Sequence, residues 1–174
     1  MIQIRVSIKG QERLRQAFTK LAASIQDYSP AWDPITGIFQ QAMRGQFASE
    51  GARGGKKWAP LSRGYARWKE RIAPGRPILT LTGDLVLSLI RQTGDTIHEE
   101  QPLSLSLGTR LPYAKFHQRG TKRMPARPPI VLTRQDYDKM TANVVGFSAE
   151  YGLEAGFKLT NFRVGRTRMG RRRG

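Results

Sequence analysis

The chain has 174 residues, with 30 Lys and Arg against 13 Asp and Glu, a net charge of +17 and no cysteine. Its mean hydropathy is −0.50, and no apolar run approaches the roughly 18 residues a membrane span needs. Disulfides, thiolate chemistry and cysteine metal sites are therefore excluded, and the N-terminus is too polar for a secretory signal. The length fits one domain with a real core plus extensions. A charge of this size resists its own compaction and points to a polyanion or to acidic protein neighbours. Nucleic acid is the first candidate and a membrane surface the second.

In chain order, Ile2, Ile4, Val6 and Ile8 alternate with polar residues and predict a strand ended by Gly10. Leu14, Phe18, Leu21, Ala22 and Ile25 then recur at helical spacing from Gln11 to about Gln26. Tyr28-Ser29-Pro30 breaks the pattern. A second helix is expected from Asp33 to Ala48, with Pro34 tolerated in its first turn and Ile35, Ile38, Phe39, Ala42, Met43 and Phe47 forming its apolar stripe. One strand followed by two amphipathic helices predicts an α+β fold, with these helices packed on one face of a small, mostly antiparallel sheet.

Gly51-Ala52-Arg53-Gly54-Gly55-Lys56-Lys57 is a loop by composition. It lacks the spacing of a nucleotide-binding loop, so it reads as a flexible basic loop touching DNA or a neighbouring subunit. After Trp58-Ala59-Pro60-Leu61, Ser62 is placed to cap a short helix carrying Tyr65, Trp68 and Ile72. Aromatics interleaved with Arg63, Arg67, Lys69 and Arg71 can stack nucleic-acid bases. The simpler reading puts Trp58 and Trp68 in the core and the cations in water. Thr82 and Asp84 mark the start of a further helix, with Leu85, Leu89 and Ile90 facing inward. Thr96–His98 and the alternating Leu103, Leu105 and Leu107 predict two strands joined at Gln101-Pro102.

The organising stretch runs from Leu111 to Gly120, where Tyr113, Phe116 and His117 share one side of a short helix that is expected to be buried. A basic, proline-rich run from Thr121 to Pro129 follows and reads as a rigid extended arm. No Asp or Glu occurs from Gln101 to Gln135. Ile130-Val131-Leu132 suggests a strand, and Thr133 caps a long C-terminal helix from Arg134 to about Tyr151. From Lys158 onward every charged side chain is a cation, which predicts a basic tail that is disordered or ordered only by a partner. The expected organisation is a single domain over residues 1–157 and an Arg-rich extension over 158–174.

Four pieces stand in order: Trp58-Ala59-Pro60-Leu61-Ser62, Ile78-Leu79-Thr80-Leu81-Thr82-Gly83-Asp84-Leu85, Leu111-Pro112-Tyr113-Ala114 with His117-Gln118 and Gly120, and Met124-Pro125-Ala126-Arg127-Pro128. Together they resemble the phage virion morphogenesis family, the tail-completion proteins of Mu-like and related tailed phages. Pro129-Ile130 stands where the family commonly has an aromatic and a glycine or leucine, and the Arg-rich C-terminus has no counterpart in it. The resemblance implies a structural protein of the head–tail junction, without enzymatic activity. It also implies a ring, usually six-fold, meeting connector and tail-tube proteins in a virion assembled in the bacterial cytoplasm.

A closed ring needs two different patches per subunit, and a channel for duplex DNA needs cations that do not read sequence. The candidate residues facing DNA or acidic partners are Lys56, Lys57, Arg119, Lys122, Arg123 and Arg127, with Arg166, Arg168, Arg171, Arg172 and Arg173 of the tail. The candidate subunit interface comprises Trp58, Pro60, Tyr113, Pro125 and Pro128. No catalytic, cofactor or metal residue is assigned. His98 and His117 are the only imidazoles, and Asp84, Asp95, Glu99 and Glu100 form no recognisable ligand set. The alternative reading is a free nucleic-acid-binding protein that binds without sequence preference.

Overall fold

The computed structural model describes residues 26–154, with side chains to Glu150, and before them Arg15, Gln16, Thr19 and Ala22 as helical. The expected strand at Ile2–Ile8, most of the first helix and the basic run 158–174 lie outside the described residues. The chain forms two compact units, one of residues 26–147 and one of 1–25 with 148–174. The first unit carries the elements that matter here.

A 3-10 turn, Ser29–Ala31, leads into helix α1 (Trp32–Ala48), followed by a second such turn (Ala52–Gly54), α2 (Arg63–Ile72) and α3 (Asp84–Ile90). The hairpin β1 (Thr96–Gln101) and β2 (Ser104–Thr109) follows, then α4 (Ala114–Arg119) and the long α5 (Arg134–Glu154). The two strands are antiparallel, in register from Thr96 opposite Thr109 to Gln101 opposite Ser104. This is an α+β fold with a small antiparallel sheet and a long C-terminal helix.

Helix α1 is the central member. Trp32, Ile35, Phe39, Ala42, Met43, Gln46 and Phe47 are buried along one side, the three- and four-residue spacing an amphipathic helix requires. That side packs on α3 and β2. Phe39, Ala42, Met43 and Phe47 meet Trp58, Leu85, Leu89 and Ala114 in one core, edged by Leu107, Leu111, Ile130, Leu132 and Met140. In β2, Leu105 and Leu107 are half-buried while Ser104 and Ser106 are exposed, the period-two pattern of a sheet with one covered face.

Caps explain most of the boundaries. Ser62 accepts from the Tyr65 amide at the start of α2 (3.4 Å). At α5, Asp136 Oδ2 accepts from the Thr133 amide (2.7 Å) and Thr133 Oγ1 accepts from the Asp136 amide (3.4 Å), a reciprocal capping pair. Arg53 donates to the other oxygen of the same carboxylate. Burial alone would raise the Asp136 pKa, but the hydrogen bonds from Arg53 and Thr133 outweigh it and hold the carboxyl below the usual range.

Several local expectations need correction. The N-cap position of helix α3 is Gly83, in a left-handed conformation, and the Thr82 hydroxyl just before it donates to Asp84 Oδ2 (2.7 Å) and accepts from the Asp84 amide (3.4 Å). Ile130–Leu132 is not a strand. The Gln118 side-chain amide takes the place of a strand partner, donating to Ile130 O (2.9 Å) and accepting from Ile130 N (3.1 Å). The 51–57 loop is ordered around Gly51, whose φ of +91° keeps a backbone only glycine adopts easily; a Cβ there would lie 2.4 Å from the Trp58 ring.

Met43 is fully buried at the centre of the core. Met43→Ala is expected to lower unfolding stability by about 2–5 kcal/mol, read as an earlier midpoint in urea denaturation with an unchanged slope.

Candidate partner-binding surface

The site is built where two distant segments lock together. Trp58 lies edge-on to Phe47, ring centroids 5.3 Å apart, and its indole N–H donates to Pro128 O (3.1 Å). Gln46, on α1, donates to the same carbonyl (3.0 Å). In return Arg127 reaches back: Nε donates to Ala59 O (2.7 Å) and Nη2 to Pro60 O (2.8 Å). Trp-Ala-Pro and Arg-Pro thus grip each other through four hydrogen bonds with Gln46 included.

This changes the reading of the arm. It does not project as an extended rod. Thr121 and Met124 exchange backbone hydrogen bonds (2.8 and 3.3 Å), closing a tight turn with Lys122 and Arg123 at its tip. Gly120 makes the turn possible with φ +75°, and a Cβ there would come within 2.8 Å of the Ala126 amide nitrogen. The Arg127 amide then donates to His117 O (2.8 Å), and Pro129 is buried. The proline segment lies back on the protein.

The expected DNA- or partner-facing cations therefore separate. Lys56, Lys57, Arg119, Lys122 and Arg123 are exposed. Arg127 is only 5% exposed, so it cannot present its charge to a partner; the carbonyls it holds are its own chain's. Arg166, Arg168, Arg171, Arg172 and Arg173 lie outside the described residues. Among the interface candidates, Pro60, Tyr113 and Pro125 are exposed and Pro128 is half-buried. Trp58 is a core residue, 4% exposed, which removes it from the surface.

Helix α4 is not the buried element expected: only Ala114 is buried, while Tyr113 and Phe116 stand at the surface. The Lys115 ammonium sits 5.1 Å from the Phe116 ring centroid. Trp68, expected in the core, is 40% exposed. It lies 5.2 Å, centroid to centroid, from the exposed Tyr65, and Ile72 extends the same face of α2. Lys69 takes the opposite course. It is buried, donating to Arg76 O (2.8 Å) and Pro77 O, and burial pushes its pKa below the usual lysine value.

Between α2, the 79–85 segment, α4 and the 121–125 turn lies a cleft of about 850 Å³. Leu61, Tyr65, Leu81, Tyr113, Met124 and Pro125 give it apolar walls; Arg123 stands at its edge. Its one carboxylate is Asp84, already engaged by Thr82. His117 packs edge-on to Tyr113 at 6.0 Å. Its Nδ1 is buried without a partner, and burial and the neighbouring Arg127 depress its pKa.

The structural roles of Lys69, Gln46 and Gln118 carry no local signature, because their partners are backbone groups whose positions the fold sets. His98, the other imidazole, bridges Gln92 (2.8 Å) and Glu100 (2.8 Å) on the hairpin. Among the described residues no group of three or more His, Asp or Glu could hold a metal ion, and no helix is long and apolar enough to cross a membrane.

A model of the phage virion morphogenesis family matches residues 10–146. The chain belongs to that family. The Mu-like prophage FluMu G protein 1 of Haemophilus influenzae is 29% identical over 131 residues, covering 74% of this chain and 84% of the relative. No solved structure matches significantly. The family match contains the locked segments, the cleft and the whole turn, and stops before the Arg-rich run at 158–174. A role in building phage particles follows from the family.

Two outcomes test the local account. Arg127→Met keeps much of the stem but leaves the Ala59 and Pro60 carbonyls without a donor; a loss of about 3 kcal/mol in unfolding stability is expected, with Arg127→Lys restoring only part because ammonium lacks the planar fork. His117 has a folded pKa below its unfolded value of about 6.5, so its contribution is complete above that pH. It is lost as pH falls toward the folded pKa. Stability measured from pH 7.5 down to 5 should therefore decline, and His117→Gln should remove that decline while leaving the acid limb of Asp136.

Proposed function

We propose that this chain is a structural protein of the phage head–tail junction, one of several identical copies closing a collar at the upper end of the tail. The observation that carries this reading is the match of residues 10–146 to a virion morphogenesis family. The physical features agree with it. A ring subunit needs exposed apolar surface rimmed by polar groups. Tyr65, Trp68, Ile72, Tyr113 and Phe116 offer it, among Arg63, Arg67, Arg71, Arg119 and Arg123. A building role rather than catalysis goes with the family match.

The excess charge suits a channel through which duplex DNA passes without being read. Lys122, at the tip of a rigid turn, is the cation best set to meet phosphate. A second reading, a protein that binds single-stranded nucleic acid on its own, is favoured by one observation. Tyr65 and Trp68 stand exposed, side by side, between arginines, the composition of a stacking platform.

Phage particles lacking this chain should accumulate as separate heads and tails, counted by electron microscopy and rescued by the gene supplied in trans. Joined, infectious particles without it would overturn the reading. For DNA contact, duplex affinity is measured against salt. Each cation that neutralises a phosphate contributes roughly −0.9 to the slope of log K against log salt, so Lys122→Gln should flatten it by up to about 0.9. Quenching of Trp68 by single-stranded but not duplex DNA would favour the second reading.

A further inference from the structure

The cleft beside α4 and the tip of the β-hairpin are unlike surfaces. The hairpin tip exposes Leu103, 66% accessible and the most exposed large hydrophobic residue of those described. A few residues earlier, before Gln101 and Pro102, stand Glu99 and Glu100 of β1, the only adjacent carboxylates in the sequence, both exposed. The cleft presents the converse: apolar walls, Arg123 at its edge, and Arg119 and Lys122 exposed nearby. From Gln101 to Gln135 the sequence offers these cations no carboxylate.

Helix α1 keeps the two surfaces apart. At its first residue, the Trp32 indole donates to Gln101 O (2.9 Å), and the nearby Tyr28 amide donates to Pro102 O (2.7 Å). Near its other end, Gln46 holds Pro128 O (3.0 Å) behind the cleft. Fourteen residues of helix between Trp32 and Gln46 span about 21 Å at 1.5 Å per residue. The tip of one subunit is therefore held away from its own cleft, and both ends are fixed by hydrogen bonds before any partner arrives, which lowers the entropic cost of docking.

We propose that the Glu99–Leu103 hairpin tip of one copy docks in the Tyr65–Tyr113–Met124 cleft of the next, with Leu103 on the apolar walls and Glu99 and Glu100, which leave opposite faces of the ribbon, meeting Arg123 from one side and a neighbouring cation from the other. Two unlike patches on one rigid strut make a heterologous contact, the kind that closes a ring when its rotation permits. The present partners of the acids do not forbid it. Glu99 pairs with Arg110 (3.1 Å) and Glu100 with His98 (2.8 Å), and both glutamates remain at the surface, where such pairs are weak and exchangeable. The proposal rests on the ring reading and names the contact within it.

The absence of cysteine makes the test direct. Chains carrying Leu103→Cys are mixed with chains carrying Met124→Cys and treated with a short bismaleimide. Linked pairs should form in the mixture and not in either population alone. In parallel, Arg123→Glu, or Glu99→Lys with Glu100→Lys, should each weaken self-association by about tenfold or more through like-charge contact. Mixing the two reversed partners should restore association, because in an alternating assembly every tip meets a cleft of opposite charge. Unchanged unfolding midpoints exclude misfolding as the cause. Copies that associate but link only Leu103→Cys to itself, or that ignore both charge reversals, overturn the proposed contact and leave the ring standing. Copies that stay monomeric at every concentration, and on tails, overturn the ring reading itself.

Discussion

A buried guanidinium needs acceptors, and the path of the chain around the cleft follows from supplying them. Arg127 has no carboxylate beside it; its donors go to Ala59 O and Pro60 O. That choice forces the Trp58–Pro60 segment to lie against the Pro125–Pro129 segment, where proline removes competing backbone donors and leaves carbonyls to accept. Trp58 and Gln46 then satisfy Pro128 O from the other side. The tight turn at Thr121–Met124 and the left-handed Gly120 exist because the chain must leave α4, reverse and return to place Arg127. The exposed cations at the turn's tip are held by a buried one.

The same economy appears in the other charged groups that this very basic chain takes inside. Lys69 is held by two carbonyls, with Glu50 and Glu70 acting on it through charge alone. Arg53 is the exception, donating to Asp136 at the start of α5, where the helix dipole also favours negative charge. That one ion pair ties the 51–55 loop to the C-terminal helix. Interior cations are bonded to fixed acceptors, and the remaining positive charge is spread over the surface. Self-repulsion at +17 is thus borne mostly where water screens it.

Helix α1 gives the arrangement its length. Its buried side organises the core, and its two ends hold unlike surfaces: a hairpin tip with acids and an exposed leucine, and a cleft with aromatics and arginine. If the two surfaces meet as proposed, their difference and their rigid separation suit head-to-tail assembly rather than a two-fold dimer, which uses one patch twice. The apolar face of α2 is further exposed surface of the kind that partners cover.

Local periodicity was legible without coordinates because the residues that decide it are neighbours in sequence. The α1 stripe, the hairpin of β1 and β2, the Ser62 and Thr133 caps and the α+β class could all be read from spacing, and the four ordered pieces pointed to the family. What spacing could not decide was which cations are solvated and which are structural. Arg127 looks the same in sequence as Arg123, yet its acceptor at Ala59 is 68 residues away. Trp58 and Trp68 sit ten residues apart, one beneath the proline segment and one in solvent. The sequence by itself determined most helices and the hairpin of the described residues, the charge and the kinship; only the tertiary structure assigned the described charged and aromatic side chains to the interior or the surface, because burial depends on partners that distant segments bring.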